Sequence, residues 1–217
     1  MKRLFPFLIV FLVLVFITLD AFKIIPDTVF YDENFGYERI KSDFDKDLDS
    51  IDDYQDIVEG AREYVSKNPP YKSAYYKGGY PIDEYAVCTD VIWYAFKNAG
   101  YDLKSMVDED IKNHLDAYPT IDIPDPNIDF RRVKNLKIFF DRNALSLTTD
   151  TRKKEEWQAG DIVIFEGHIA IISDKRNRRG TPYIIHQSRR PKKEEDFLVE
   201  YSSYHKILGH YRFHPSN

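Results

Sequence analysis

The apolar positions in the first half of the chain recur at the spacing of a helix. From Cys88 they fall at 91, 92, 95, 96 and 99, and Gly100 stands where a helix C-terminus favours glycine. This pattern predicts a helix with Cys88 at its N-terminus. The same spacing predicts three further helices, over 57–65, 106–115 and 133–140.

In the second half the apolar residues form short runs of strand length. His168, Ala170 and Ile172 alternate along one such run, so their side chains share one face. The predicted strands cover 161–165, 167–173, 182–187 and 207–213. Helices followed by antiparallel strands predict an α+β domain.

The N-terminus has the pattern of an export segment. Lys2 and Arg3 precede an uncharged run over Leu4–Leu19, which Ile24 and Ile25 extend. About 20 apolar residues span a bilayer, so we expect a transmembrane helix with the rest of the chain outside the cell membrane. The alternative is a cleaved signal peptide and a secreted domain. The predicted divisions are 1–25 anchor or signal, 26–44 linker, 45–56 acidic loop and 57–217 catalytic domain.

Composition excludes some classes of function. The 217 residues carry a net charge of −5, so no basic field favours nucleic acid. Cys88 is the sole cysteine, which excludes an internal disulfide, and an unpaired thiol in an exported protein suggests reactivity. Residues 192–196, Lys-Lys-Glu-Glu-Asp, mix both signs of charge and predict a solvated loop.

Cys88 is the candidate nucleophile. Unpaired N–H groups and the positive end of the helix dipole favour its thiolate, while the alternative is a small buried hydrophobe. If His168 pairs directly across from His186, both imidazoles project from one face, which the small Ala170 would let the Cys88 helix approach. His168 would then act as general base and acid, and His186 would orient it.

Four blocks in this order resemble the NlpC-type cell-wall cysteine peptidases: Cys88-Thr89-Asp90, Ala159-Gly160-Asp161, Gly167-His168-Ile169-Ala170 and Ile184-Ile185-His186. The resemblance covers about 71–213, and Pro-Asp-Pro-Asn-Ile-Asp-Phe-Arg-Arg-Val at 124–133 is similar to a bacterial subgroup of unassigned function. It implies a papain-like fold, with helices packed on an antiparallel sheet. Three departures are Ala170, where the family usually has Gly, Thr89-Asp90 in place of Ser-Gly, and a longer hairpin between the two histidines.

The resemblance also implies further site residues and an activity. Tyr75 matches a family tyrosine near the oxyanion. Independently of the resemblance, Arg131 and Arg132 lie beside acidic residues of the 124–133 block, where their guanidinium groups would bind a substrate carboxylate or form an internal salt-bridged clasp. The expected function is an exported, membrane-tethered hydrolase that cleaves an amide bond in peptidoglycan stem peptides or a related peptide, without a catalytic cofactor. The alternatives are an inactive wall-peptide binding module and an acyltransferase using the same Cys-His pair.

Residues 45–56 have the ligand spacing of an EF-hand-type calcium loop. Ser50 replaces the usual glycine at the sixth position, and a short Asp stands at the twelfth, where Glu is usual. The alternative is a solvated acidic linker. The candidate calcium ligands are Asp45, Asp47, Asp49, the carbonyl of Ile51, Asp53 and Asp56.

Overall fold

The computed structural model describes residues 9–15, 28–82, 84–191 and 193–215, in which helices pack on a six-stranded sheet. All strand pairings are antiparallel, in the order β1-β6-β2-β3-β4-β5. The helices are α1 Asp53–Ser66, α2 Cys88–Asn98, α3 Leu103–Asn113, α4 Val133–Asn143 and α5 Leu198–Tyr204. The strands are β1 Ala144–Ser146, β2 Ile162–Phe165, β3 His168–Arg176, β4 Pro182–Ile185, β5 Glu194–Glu195 and β6 Ile207–Phe213.

The predicted α+β class is confirmed, and α1 to α4 and the four longer strands lie where the apolar pattern indicated. Three short elements were not predicted: β1, β5 and α5. They are too short for a periodic pattern to show in the sequence.

The predicted transmembrane helix is wrong. Among the described residues, no helix is both long and apolar enough to cross a membrane. Within the predicted span from Leu4 to Ile25, only residues 9–15 are described, and they are helical; the rest of the span lies outside the described residues. A bilayer core of about 30 Å requires roughly 20 helical residues.

Residues 28–44 are the described part of the predicted linker 26–44, and they pack against the domain instead. Phe30 and Arg176 of β3 exchange two backbone hydrogen bonds, of 2.9 and 2.7 Å. Asp32 is buried and forms an ion pair with Arg176. The side chain of Gln158 accepts a hydrogen bond from the backbone N–H of Ile40 at 3.1 Å. The polar groups of residues 28–44 therefore form hydrogen bonds and an ion pair with the rest of the domain, and the sequence pattern does not reveal these partners.

The two faces of the sheet belong to different hydrophobic clusters. Ile169 and Ile171 of β3 pack in the cluster that contains the helices α1 and α2. Ala170 and Ile172 lie in the other cluster, with Trp157, Phe197 and Leu198. The prediction that the Cys88 helix approaches the Ala170 face is therefore wrong, because both faces of this sheet are covered and the helix takes the isoleucine face.

Helix α1 crosses α2 closely at Gly60. A Cβ added at this residue would lie 2.4 Å from the Cβ of Asn98 and 3.1 Å from the carbonyl oxygen of Tyr94. Only glycine therefore fits at the crossing without a shift of one helix. This contact matters for the site because α2 carries Cys88.

We expect Gly60→Ala to destabilise the domain by about 1–3 kcal/mol, because the overpacking exceeds the roughly 1 kcal/mol that alanine gains over glycine inside a helix. Thermal unfolding measures the change. Glu59→Ala, at the exposed neighbouring position, is the control and should stay within about 0.5 kcal/mol of the wild type. Equal or higher stability of Gly60→Ala would contradict the close crossing.

Candidate active site

Cys88 is the first residue of α2, and a buried ion pair holds this end of the helix. The carboxylate of Asp90 accepts the backbone N–H of Val87 at 2.9 Å. Arg131 donates to both oxygens of Asp90, at 2.6 and 2.9 Å, and to the carbonyl of Ala74. The hydroxyl of Thr89 donates to the carbonyl of Arg131 at 3.1 Å. The block at 124–133 thus holds the end of the helix at which Cys88 lies.

This arrangement decides between the two interpretations of Arg131. Its side chain is nearly inaccessible and is committed to Asp90, so it forms the internal clasp and does not face substrate. Arg132 is exposed, near Asp125 and Asp129, which lie in the same block. The predicted carboxylate pocket is therefore not formed by Arg131, because burying its guanidinium required an ionic partner inside the fold.

The thiol of Cys88 is buried, with 6% of the residue exposed. Burial raises its pKa to about 11, although the backbone N–H groups of Ile169, Thr89 and Cys88 itself favour the thiolate. The helix terminus thus has the effect that we expected, but desolvation outweighs it. Cys88 is therefore a neutral thiol in this structure.

His168 and His186 contact each other directly: Nε2 of His168 lies 2.7 Å from Nδ1 of His186. The predicted direct register is wrong by two residues. Ile171 lies opposite Ile185, so the same register places Ala170 opposite His186, and the two imidazoles meet diagonally. Burial, with the neighbouring imidazoles of His186 and His205, lowers the pKa of His168 to about 3.

A carboxylate that the sequence analysis missed lies behind His186. Oε1 of Glu195 is 3.1 Å from Nε2 of His186, and Arg190 donates to both oxygens of Glu195, at 3.0 and 3.2 Å. Only 2% of Glu195 is exposed, so the prediction that residues 192–196 form a solvated loop is wrong at this position. Pairing with β4 turns one of the two adjacent glutamates inward.

A cleft of about 250 Å³ opens beside these groups, lined by Tyr71, His168, His186, Arg189, Phe197 and Tyr201 among others. Burial raises the pKa values of Tyr71 and Tyr201, and the nearby Cys88 raises them further. These two tyrosines, and not Tyr75, are thus the ones close to the sulfur. The hydroxyl of Tyr75 hydrogen-bonds Asp125 and Asn127, and 60% of Tyr75 is exposed.

A family model described as "Domain of unknown function (DUF1287)" matches residues 58–213. The chain belongs to the DUF1287 family. It is 36% identical over 169 residues to the uncharacterized protein YijF of Escherichia coli (strain K12), an alignment that covers 72% of this chain and 80% of YijF. No solved structure matches the chain. The DUF1287 span contains Cys88, His168, His186 and Glu195.

The acidic loop lies before the DUF1287 span. Carboxylate oxygens of Asp45, Asp47 and Asp49 lie within 4.8 Å of one another. Asp53 is used elsewhere, because it accepts the backbone N–H of Lys46 and the hydroxyl of Tyr101. The two other predicted ligands are Ile51, whose N–H donates to Asp49 at 2.8 Å, and Asp56, which is buried in the first turn of α1.

The raised pKa of Cys88 predicts how the thiol of this DUF1287 domain reacts with iodoacetamide. Its alkylation rate should rise roughly tenfold per pH unit and still climb between pH 8 and 10, since the thiolate fraction grows until the pKa is reached. The urea-unfolded chain is the control, and its rate should level off above pH of about 8.5–9. A rate in the folded protein that is flat from pH 5 to 8 would indicate a thiolate–imidazolium pair and contradict the neutral state.

Proposed function

We propose that this protein is a cysteine hydrolase that cleaves an amide bond in peptidoglycan stem peptides or a related small peptide. The observation that carries the proposal is the contact of His168 with His186 in a cleft that is also lined by Tyr71 and Tyr201, the two tyrosines near Cys88. The N–H of Ile169, the residue after His168, meets the sulfur of Cys88. A nucleophile, a base and a group that orients the base are the parts that acyl transfer requires. The resemblance to NlpC-type peptidases supports the same chemistry.

The neutral states of Cys88 and His168 suit general-base catalysis. As the sulfur attacks the substrate carbonyl carbon, Nδ1 of His168 takes the thiol proton, and it then gives that proton to the leaving amine. Water attacks the resulting thioester, His168 accepts the water proton, and the acid product and the free thiol are released. The backbone N–H of Cys88 is the candidate donor to the oxyanion.

One movement belongs to this mechanism. In the described structure the sulfur accepts the N–H of Ile169, and no hydrogen bond joins it to the His168 ring. We therefore include a turn of the Cys88 side chain toward Nδ1 when substrate enters. Catalytic hydrogen bonds commonly tighten only in the substrate complex.

The cleft supports a small substrate that carries a carboxylate. Its volume of about 250 Å³ suits a short peptide segment. Arg189 lines it with its guanidinium 5.8 Å from the centre of the Tyr71 ring, while Arg190 is committed to Glu195. An exposed guanidinium binds a carboxylate in a bidentate manner, and stem peptides supply such groups. Because peptidoglycan lies outside the cytoplasm, the proposal includes an extracytoplasmic domain.

Cys88→Ala should abolish release of peptide fragments from purified peptidoglycan, and His168→Ala should lower kcat by about 10²–10⁴-fold, since a positioned base contributes that much. His186→Ala should be milder, because the base remains but is poorly oriented. Mass spectrometry of the released fragments measures the activity. His114→Ala, at an exposed histidine that pairs with Asp110, is the control and should match the wild type.

The outcomes separate the competing functions. Release that survives Cys88→Ala would contradict the assignment of the nucleophile. Adducts with an added amine in place of free acid would indicate an acyltransferase. Saturable binding of wall peptides without turnover would indicate a binding module of the same fold.

We also propose that the acidic loop binds calcium. Exposed carboxylates cluster in many proteins without an ion, so Asp45, Asp47 and Asp49 alone do not make a site. The observation that favours a cation is Asp56, which is 2% exposed and whose Oδ2 atom has no hydrogen-bond partner. Burial raises its pKa to about 7, and repulsion from Asp49 and Asp47 adds to that rise. A divalent cation would relieve this repulsion.

Two features of the loop fit the proposal. Ser50 has φ of 78°, the left-handed conformation that the sixth position of such a loop needs from glycine. Asp45 accepts the N–H groups of Asp49 and Ser50, which curves the loop around its carboxylates. Asp53 departs from the pattern, because its contact with Tyr101 takes the ninth position away from the ion.

Calcium at 10 mM should raise the melting temperature of the full chain by about 3–6 °C, which corresponds to roughly 1.4 kcal/mol for a Kd near 1 mM. Magnesium should do less. The variant Asp47→Ala with Asp49→Ala should lose the effect and keep the alkylation rate of Cys88. The control variant is Asp116→Ala with Asp122→Ala, at exposed positions outside the loop. It removes the same amount of charge and should keep the rise in melting temperature. A wild-type melting curve indifferent to calcium would leave the acidic-linker interpretation in place.

A further inference from the structure

Glu195 occupies a position that the mechanism above leaves unexplained. It belongs to the two-residue strand β5, where Ile184 of β4 lies opposite it. Side chains alternate along a strand, so Glu194 and Glu195 point to opposite sides. Glu194 receives Arg62 and Lys175 in an ion-pair network, whereas Glu195 receives His186. One strand thus supplies two carboxylates with different partners.

We propose that Glu195 is a positioning residue that selects the tautomer of His168 through His186. The inference rests on the proposed function only in so far as His168 is the base. The geometry that carries it is a continuous chain: Nε2 of His168 lies 2.7 Å from Nδ1 of His186, and Nε2 of His186 lies 3.1 Å from Oε1 of Glu195.

The chemistry of the donors fixes the direction of this chain. A carboxylate only accepts hydrogen bonds, so Nε2 of His186 must carry the proton that meets Glu195. In the neutral ring Nδ1 of His186 then has a lone pair and accepts from Nε2–H of His168. That leaves the lone pair of His168 on Nδ1, which is the nitrogen that must take the proton of Cys88.

Arg190 helps to keep Glu195 ionised, which this arrangement of protons requires. Burial raises the pKa of Glu195, but the hydrogen bonds of His186 and Arg190 outweigh burial and hold the pKa below its ordinary value, so the carboxylate is ionised. Arg190 is itself held 4.0 Å from the centre of the Phe197 ring.

The tautomer is measured without substrate, by NMR of protein labelled with ¹⁵N-histidine. In the wild type, Nε2 of His168 should be protonated and Nδ1 should not. In Glu195→Gln the amide can donate to His186, so the protons shift along the chain and Nδ1 of His168 becomes protonated in a substantial fraction. We expect kcat on peptidoglycan to fall by roughly 10–100-fold with a smaller change in KM, as for partners one shell behind a reacting group.

Glu194→Gln is the matched control, because it removes the neighbouring carboxylate of β5 and leaves His186 untouched. It should keep both the tautomers and kcat, even if its melting temperature falls. Glu195→Asp keeps a carboxylate and should retain the wild-type tautomers with part of the activity. If Glu195→Gln does not fold, the tautomer of His168 in the wild type still tests the proposal.

Three results would overturn the proposal. The first is a wild-type His168 protonated at Nδ1, which requires no variant. The second is a Glu195→Gln protein with unchanged tautomers. The third is a loss of kcat in Glu194→Gln equal to that in Glu195→Gln, which would make both carboxylates merely structural. If the wild type does not turn over peptidoglycan, the proposed function fails, while the NMR result still tests Glu195.

Discussion

The buried ion pair between Arg131 and Asp90 is the interaction on which the geometry of this site depends. Their side chains are 1% and 0% exposed, so water cannot replace either partner of the pair. Breaking such a pair leaves an unpaired buried charge, at a cost of about 3–5 kcal/mol. The pair also joins three separate segments, because Arg131 reaches Ala74 and Asp90 caps the helix that begins at Cys88. It therefore fixes the position of Cys88 more than it adds stability.

The sheet supplies His168, the proposed base. His168 begins β3, and the next residue, Ile169, turns its N–H toward the sulfur of Cys88. Burial then has the same consequence for both reacting groups, since it disfavours the thiolate and the imidazolium alike. The thiol of Cys88 therefore keeps its proton. Its chemistry is thus governed by desolvation, with the helix terminus as a weaker opposing influence.

The errors of the sequence interpretation have identifiable physical causes. Alternation along a strand correctly put His168 and His186 on one face, yet it does not specify register, and the true register is displaced by two residues. The helix packs on the face of Ile169 and not on that of Ala170. Both faces of the sheet are apolar and covered, so the sequence pattern does not indicate which face the helix takes. Tyr75 matched a family position, but its hydroxyl is held by Asp125 and Asn127.

The sequence by itself determined the α+β class, the helix that begins at Cys88, the strand that begins at His168 and the strand that ends just before His186, because periodic apolar residues encode local structure. Only the tertiary structure decided that Glu195 completes the histidine chain and that Arg131 is a clasp. Both are charged side chains: the partner of Arg131 lies 41 residues away, and Glu195 itself lies on a strand of two residues. A charged residue looks solvent-exposed in a sequence, and burial with a partner becomes visible only once the segments are packed together.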